Sequence, residues 1–165
     1  MLAQCTSLRY LGLGADSVDD DGAENVARVL HQCPALRTLD LQHNVIGCHG
    51  AGSLARVLVV CTELTKLNLA INKIADCGAE SIAAVLGQCP ALEYLDLPEN
   101  EIGTVGSRRL CACSESLGTN LRLVVDLDAQ CCEEEDEEEE EEEDSSDVDS
   151  EEQDDDEEEV EDLSD

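Results

Sequence analysis

The sequence contains no tryptophan and no phenylalanine, and only two tyrosines, one methionine and three prolines. Its aromatic resources are thus Tyr10 and Tyr94 alone. No run of 18 or more apolar residues occurs, so no membrane-spanning helix is expected. The start, Met1 to Cys5, lacks the basic-then-apolar order of a secretory signal, and the expected compartment is cytoplasmic or nuclear. Catalytic signatures are missing as well. With three histidines there is no Ser-His-Asp arrangement, no phosphate loop of the G-x-x-x-x-G-K type, and no carboxylate pair on an ordered scaffold. His43, Cys48 and His49, Cys111 with Cys113, and Cys131 with Cys132 offer thiolates or imidazoles, yet none has the four-ligand spacing of zinc sites. No metal, cofactor or enzymatic activity is expected.

Basic residues are also absent from one end. All nine Lys and Arg lie at or before Arg122. Residues 1–132 hold 16 acidic and 9 basic side chains, a net of −7, whereas residues 133–165 hold the remaining 25 acids and no base. The overall charge of −32 therefore describes a tail more than a folded part. From Glu133 onward no apolar periodicity exists, and such a segment cannot bury enough surface to offset its ordering entropy. The expected organisation is a repeat domain over residues 1–130 and a disordered Glu/Asp-rich tail over 131–165.

What the sequence does have is repetition. Leu8, Leu36, Leu64 and Leu92 recur at one constant period, and Cys5, Cys33, Cys61 and Cys89 recur at the same one. Each unit reads L-x-x-L-x-L-x-x-N, as in Leu36 to Asn44, Leu64 to Asn72 and Leu92 to Asn100; the first copy ends in Asp16 instead. Alternating apolar positions such as Leu39 and Leu41 mark a short strand buried on one face. Asn44, Asn72 and Asn100 form a ladder whose side chains both donate to and accept from loop backbone, which Asp16 can do only as an acceptor. Then follow Gly22, Gly50, Gly78 or Gly106 and a helical stripe, for example Ala51, Leu54, Ala55 and Leu58. Asp20, Asp76 and Thr104 are placed to cap these helices, with Cys48 a poor substitute in the second, and Pro34 and Pro90 end two of them. Leu2 precedes Leu30 by one full period, so the chain starts in mid-unit, and further units or a cover are expected there.

Strands stack about 4.8 Å apart while helices need about 8–10 Å, so the stack should curve with the strands inside. The expected fold class is α/β, a solenoid arc of parallel inner strands and outer helices. Four clear strands and three good helices are expected. The fourth unit weakens, because Ser114 replaces the last apolar position and Arg108, Arg109, Cys111 and Cys113 break its face. A last strand near Leu121 to Leu127 is expected one residue out of phase. At about 8–10 Å between helical copies, the ladder cysteines are too far apart for the 4.4–6.8 Å Cα separation of a disulfide. They read as small buried residues of a reducing compartment.

The 28-residue L-x-L-x-x-N unit with its Gly-Ala helix start resembles the ribonuclease-inhibitor subfamily of leucine-rich repeats over nearly all of residues 2–117. The order of repeats followed by an acidic run is similar to Ran GTPase-activating proteins. That resemblance implies a nonenzymatic helper that orders a GTPase's own machinery through loops at the edge of the arc.

Candidate contacts lie on the outward strand positions, since solenoids bind through their inner face. These are Tyr10, Thr38, Asp40, Gln42, Lys66, Asn68, Ile71, Tyr94 and Asp96, with Tyr94 beside Ile71 the expected centre, aromatic anchors being favoured at interfaces. Four strands give on the order of 300 Å², less than the roughly 800 Å² per partner of a standard interface. Loops or tail must therefore contribute. The expected function is a protein-interaction module whose partner is a small GTPase or a basic protein, with the tail attracting basic surfaces. Direct nucleic-acid binding is disfavoured by repulsion between phosphate and tail. Ser146, followed by Asp147 and Asp149, is a candidate site for an acidophilic kinase.

Overall fold

The computed structural model describes residues 7–116 and 121–126. The chain divides into two units, Met1–Glu133 and Glu134–Asp165, and all described residues belong to the first. The acidic tail, Ser146, Cys131 and Cys132, together with Leu2 and Cys5, lie outside the described residues.

Strands and helices alternate in strict order: β1 (Tyr10–Gly12), α1 (Asp20–Leu30), β2 (Thr38–Asp40), α2 (Cys48–Leu58), β3 (Lys66–Asn68), α3 (Asp76–Leu86), β4 (Tyr94–Asp96), α4 (Thr104–Ser116) and β5 (Arg122–Val124). The strands form one parallel sheet in the order β1-β2-β3-β4-β5. Leu11, Leu39, Leu67, Leu95 and Leu123 stand side by side, each one repeat from the next. A parallel strand needs a crossover to return to the same edge, and each 11- or 13-residue helix supplies it. The result is an open α/β leucine-rich-repeat solenoid.

Each helix packs on its sequential neighbour, and the strand leucines fill the space between the helix layer and the sheet. Leu36, Leu39, Leu41, Ile46, Ala51 and Leu54 are fully buried. Burying a Leu or Ile side chain is worth about 1.5–3 kcal/mol, so one interior unit contributes several such terms. Leu8, Leu11 and Leu13 are only partly buried because, among the described residues, β1 has a neighbour on one side alone. The helices approach closely at Gly50 and Gly106, where an added Cβ would lie 2.9 Å from Ala23 Cβ of α1 and 3.0 Å from Ala79 Cβ of α3 respectively.

Three expectations about the elements are corrected. The fourth helix is complete, because Ser107 and Leu110, both buried, seat it despite the arginines on its outer side. The last strand is in phase, not shifted by one: Leu95 pairs with Leu123 and Asp96 with Val124. Asp20 and Asp76 do not cap their own helices. The residue that caps α1 is Asp19, whose side chain accepts from Gly22 N at 2.9 Å. Asp20 Oδ1 instead accepts from Gly47 N at 2.7 Å and Gly50 N at 2.9 Å, so it closes the N-terminus of the following helix, α2. Asp76 does the same for α4 through Gly103 N and Gly106 N. These carboxylates lie in the first turn, facing the next unit, which is how a helix start finds an acceptor one repeat away.

Candidate protein-binding face

The open side of the sheet carries the residues flanking each central leucine. Lateral pairing aligns Tyr10, Thr38, Lys66, Tyr94 and Arg122 in one row and Gly12, Asp40, Asn68, Asp96 and Val124 in a second. Alternation along a strand is the cause: with Leu39, Leu67 and Leu95 turned to the helices, their neighbours must face away.

Two contacts organise this face. Lys66 Nζ sits 4.9 Å from the centroid of the Tyr94 ring, within cation–π range. Asn68 Nδ2 donates to Gln42 Oε1 at 3.2 Å, while Asn68 Oδ1 accepts from Ala70 N and Asp40 Oδ1 from Gln42 N. Thr38 and Asp96 are half-buried, and Tyr10 is 60 % exposed at the sheet edge.

Ile71 does not lie beside Tyr94. Its amide donates to Pro98 O, which places it alongside the end of the β4 unit, four residues past Tyr94. At about 3.3 Å per residue that is roughly 13 Å along the strand direction. The backbone explains the displacement: Ile71 has φ 55°, and this left-handed residue turns the chain out of the strand into the rim. His43 and Glu99, the equivalents of Ile71 in the units before and after it, share the conformation, as does Ala15 in the first unit. Beside Ile71 is a hollow of about 280 Å³ lined by Ala15, Ser17, His43, Asn44, Val45 and Ile71. Val45, Ser17 and His43 were not among the expected contacts. The signal for this rim was the residue before each ladder Asn, which must adopt positive φ for the Asn to reach inward.

The Asn ladder is framework. Asn72 Nδ2 donates to Leu41 O, Leu69 O and Ala70 O at 3.0–3.1 Å, and its Oδ1 accepts from Ile46 N. Asn44 bonds Leu13, Leu41 and Gln42 carbonyls and accepts from Asp16 N and Val18 N. Asn100 repeats the pattern one unit on. Each side chain thereby ties its loop to the preceding unit. Asp16, in the first copy, is exposed, and its carboxylate has no partner among the described residues.

Cysteine chemistry separates into two groups. Cys33 and Cys61 are buried and Cys89 half-buried in the turns that follow α1, α2 and α3. Burial, with Cys33 and Cys89 as neighbours, pushes the Cys61 thiol up to about 11. Cys48, considered above as a weak cap or metal ligand, is instead joined to Cys77 in a disulfide with Cα atoms 5.8 Å apart. Among the described residues no group of three or more His, Cys, Asp and Glu is placed to hold a metal ion, and no helix is long and apolar enough to cross a membrane.

Comparison with known proteins agrees with this architecture. A Leucine Rich repeat family profile matches residues 32–55 and 60–83. Among solved structures, Leiomodin-1 Actin-Binding Site 2 is similar in fold, with a TM-score of 0.65 at 17% identity, covering 74% of this chain and 73% of that one. No curated protein sequence matches significantly. Residues 32–55 and 60–83 thus carry leucine-rich repeats, and the fold is that of a leucine-rich-repeat solenoid.

Proposed function

We propose that the chain is a protein-interaction module that engages a protein partner through the strand face and its rim. The carrying observation is the exposure of Tyr10, Tyr94, Val45 and Ile71 on this side, at 36–60 % of their surface, while the framework leucines are sealed. Large apolar groups left facing solvent on one side are what an interface core needs. Five strands present roughly 350 Å², so the rim loops must add to the roughly 800 Å² a stable contact takes from each partner. Site-specific photo-crosslinkers at positions 94 and 71, with position 24 on the outer side of α1 as control, test this. Adducts from 94 and 71 alone support the reading; adducts from 24 alone defeat it. Leiomodin-1's similar structure is an actin-binding site, which makes actin co-sedimentation a direct first assay of one partner.

The Glu/Asp-rich segment, in this reading, attracts basic protein surfaces and raises the encounter rate in a salt-sensitive way. Ser146 within it would add further negative charge if phosphorylated. A second reading, supported by the order of repeats and then acidic run, is a Ran-type GTPase activator of the ribonuclease-inhibitor subfamily. An unchanged rate of GTP hydrolysis by a Ran-like GTPase at high concentrations of this chain would remove it. The proposed compartment is cytoplasmic or nuclear.

A further inference from the structure

Position 48 breaks a rule that the rest of the stack keeps. Asp20 and Asp76 each reach forward one unit and take two amide hydrogens at the start of the next helix. Cys48 occupies the equivalent place for α3, whose flanking residue Ala75 offers no side-chain cap. Its Cα stands 3.2 Å from where a Cβ on Gly78 would be, so it lies against the same turn that the carboxylates serve elsewhere. Instead of hydrogen bonds it makes a covalent bond, to Cys77 in the first turn of α3. Cys77 is exposed and Cys48 half-buried. The bond is therefore within reach of an external thiol, unlike the buried Cys61.

We propose that Cys48 and Cys77 form a thiol–disulfide exchange site that locks the first turn of α3 onto α2. A thiolate of a dithiol reductant attacks the exposed Cys77 Sγ and forms a mixed disulfide, and Cys48 leaves as the thiolate. The reductant's second thiol then displaces Cys77, and the reductant departs as a disulfide. Two electrons and two protons have passed to the protein. The site suits this chemistry because both sulfurs lie in the first turns of helices, where backbone amides and the helix dipole stabilise a thiolate leaving group. The released Cys48 thiolate would stand where Asp20 and Asp76 stand in their seams, a weaker acceptor in place of a covalent tie. In a reducing compartment disulfides are typically transient and regulatory, and this one sits directly behind the rim loops that run from Val45 and Ile71 into α2 and α3.

The test uses the full chain, oxidised and then treated with dithiothreitol, with differential alkylation and amide hydrogen exchange read by mass spectrometry. Cys48 and Cys77 are expected to resist alkylation before reduction and to react after it. Exchange in the first turn of α3 should then accelerate about tenfold, the order lost with a helix cap, while α1 and α4 stay unchanged. The double variant Cys48→Ser, Cys77→Ser should exchange like the reduced protein. The double variant Cys48→Asp, Cys77→Ser should exchange slowly and ignore the reductant, because a carboxylate cap has replaced the bond. Full alkylation of both thiols in the unreduced native protein, or equal exchange of α3 before and after reduction, would overturn the proposal. Should the serine variant fail to fold, the wild-type comparison and the Asp variant still decide.

Discussion

At the scale of single residues, a side chain's worth here is set by how many backbone groups of a neighbouring unit depend on it. Asn72 satisfies three carbonyls and one amide of two successive loops, and it is buried. Replacing it with Ala leaves those groups without partners at a cost of about 1–3 kcal/mol per stranded group. We expect Asn72→Ala to lower the urea midpoint by more than any substitution on the open strand face, including Thr38→Ala. Asp20 holds fewer and more exposed groups, so Asp20→Ala should cost about 1 kcal/mol, the usual worth of an N-cap, and the loss should appear in hydrogen exchange of α2, not of α1. Cys61 gives a pH prediction. Its folded-state thiol is raised from an ordinary 9.0 to about 11, so folding favours the neutral form. That contribution is fully present below pH 9 and is lost as pH rises through about 11. The thermal midpoint should fall over this window, and less steeply in Cys61→Ala.

At the scale of elements, the strands and helices were legible because their determinants are local and return at the same place in every unit. Leu67 illustrates this: it is 1 % exposed at the centre of β3, with paired leucines on both sides. Leu67→Ala should destabilise by about 2–5 kcal/mol, and a change in the denaturation midpoint equivalent to under about 1 kcal/mol would contradict its burial. The caps were legible only in part. Asp20 and Asp76 are in the right positions, but the amides they serve belong to the following unit, and no pattern within one unit shows that. Cys48–Cys77 was hidden for a related reason, since its spacing of 29 falls between the equivalent positions of the repeat. The last strand looked out of phase because Leu121 falls one residue past the place that matches Leu92, yet Leu123 falls at the place that matches Leu95 and decides the register. On the binding side, the strand positions could be read from alternation. The displacement of Ile71 to the rim could not, because a β-branched residue at positive φ runs against its own preference and is imposed by the ladder Asn that follows.

At the scale of the whole molecule, the uneven charge separates two jobs. Residues 1–132 carry a net charge of only −7 and a few exposed apolar groups, whereas residues 133–165 carry 25 acids without a base. Contacts through Tyr94, Lys66 and the rim are short-ranged and should tolerate salt. Attraction between the acidic segment and a basic protein decays within a screening length of about 8 Å at physiological ionic strength. Deleting residues 133–165 should leave the circular dichroism of the repeats nearly unchanged, because their strands and helices are framed by contacts within residues 7–126. The same deletion should weaken binding of a basic protein strongly at low salt and little at high salt, chiefly by slowing association. Tyr94→Ala should behave in the opposite manner, speeding dissociation to a similar degree at both ionic strengths, since truncating a packed aromatic anchor removes short-range contact and not charge. Measuring both rate constants for the two variants across a salt series separates the two contributions. Equal salt dependence in both variants would mean that face and segment do not act independently on the partner.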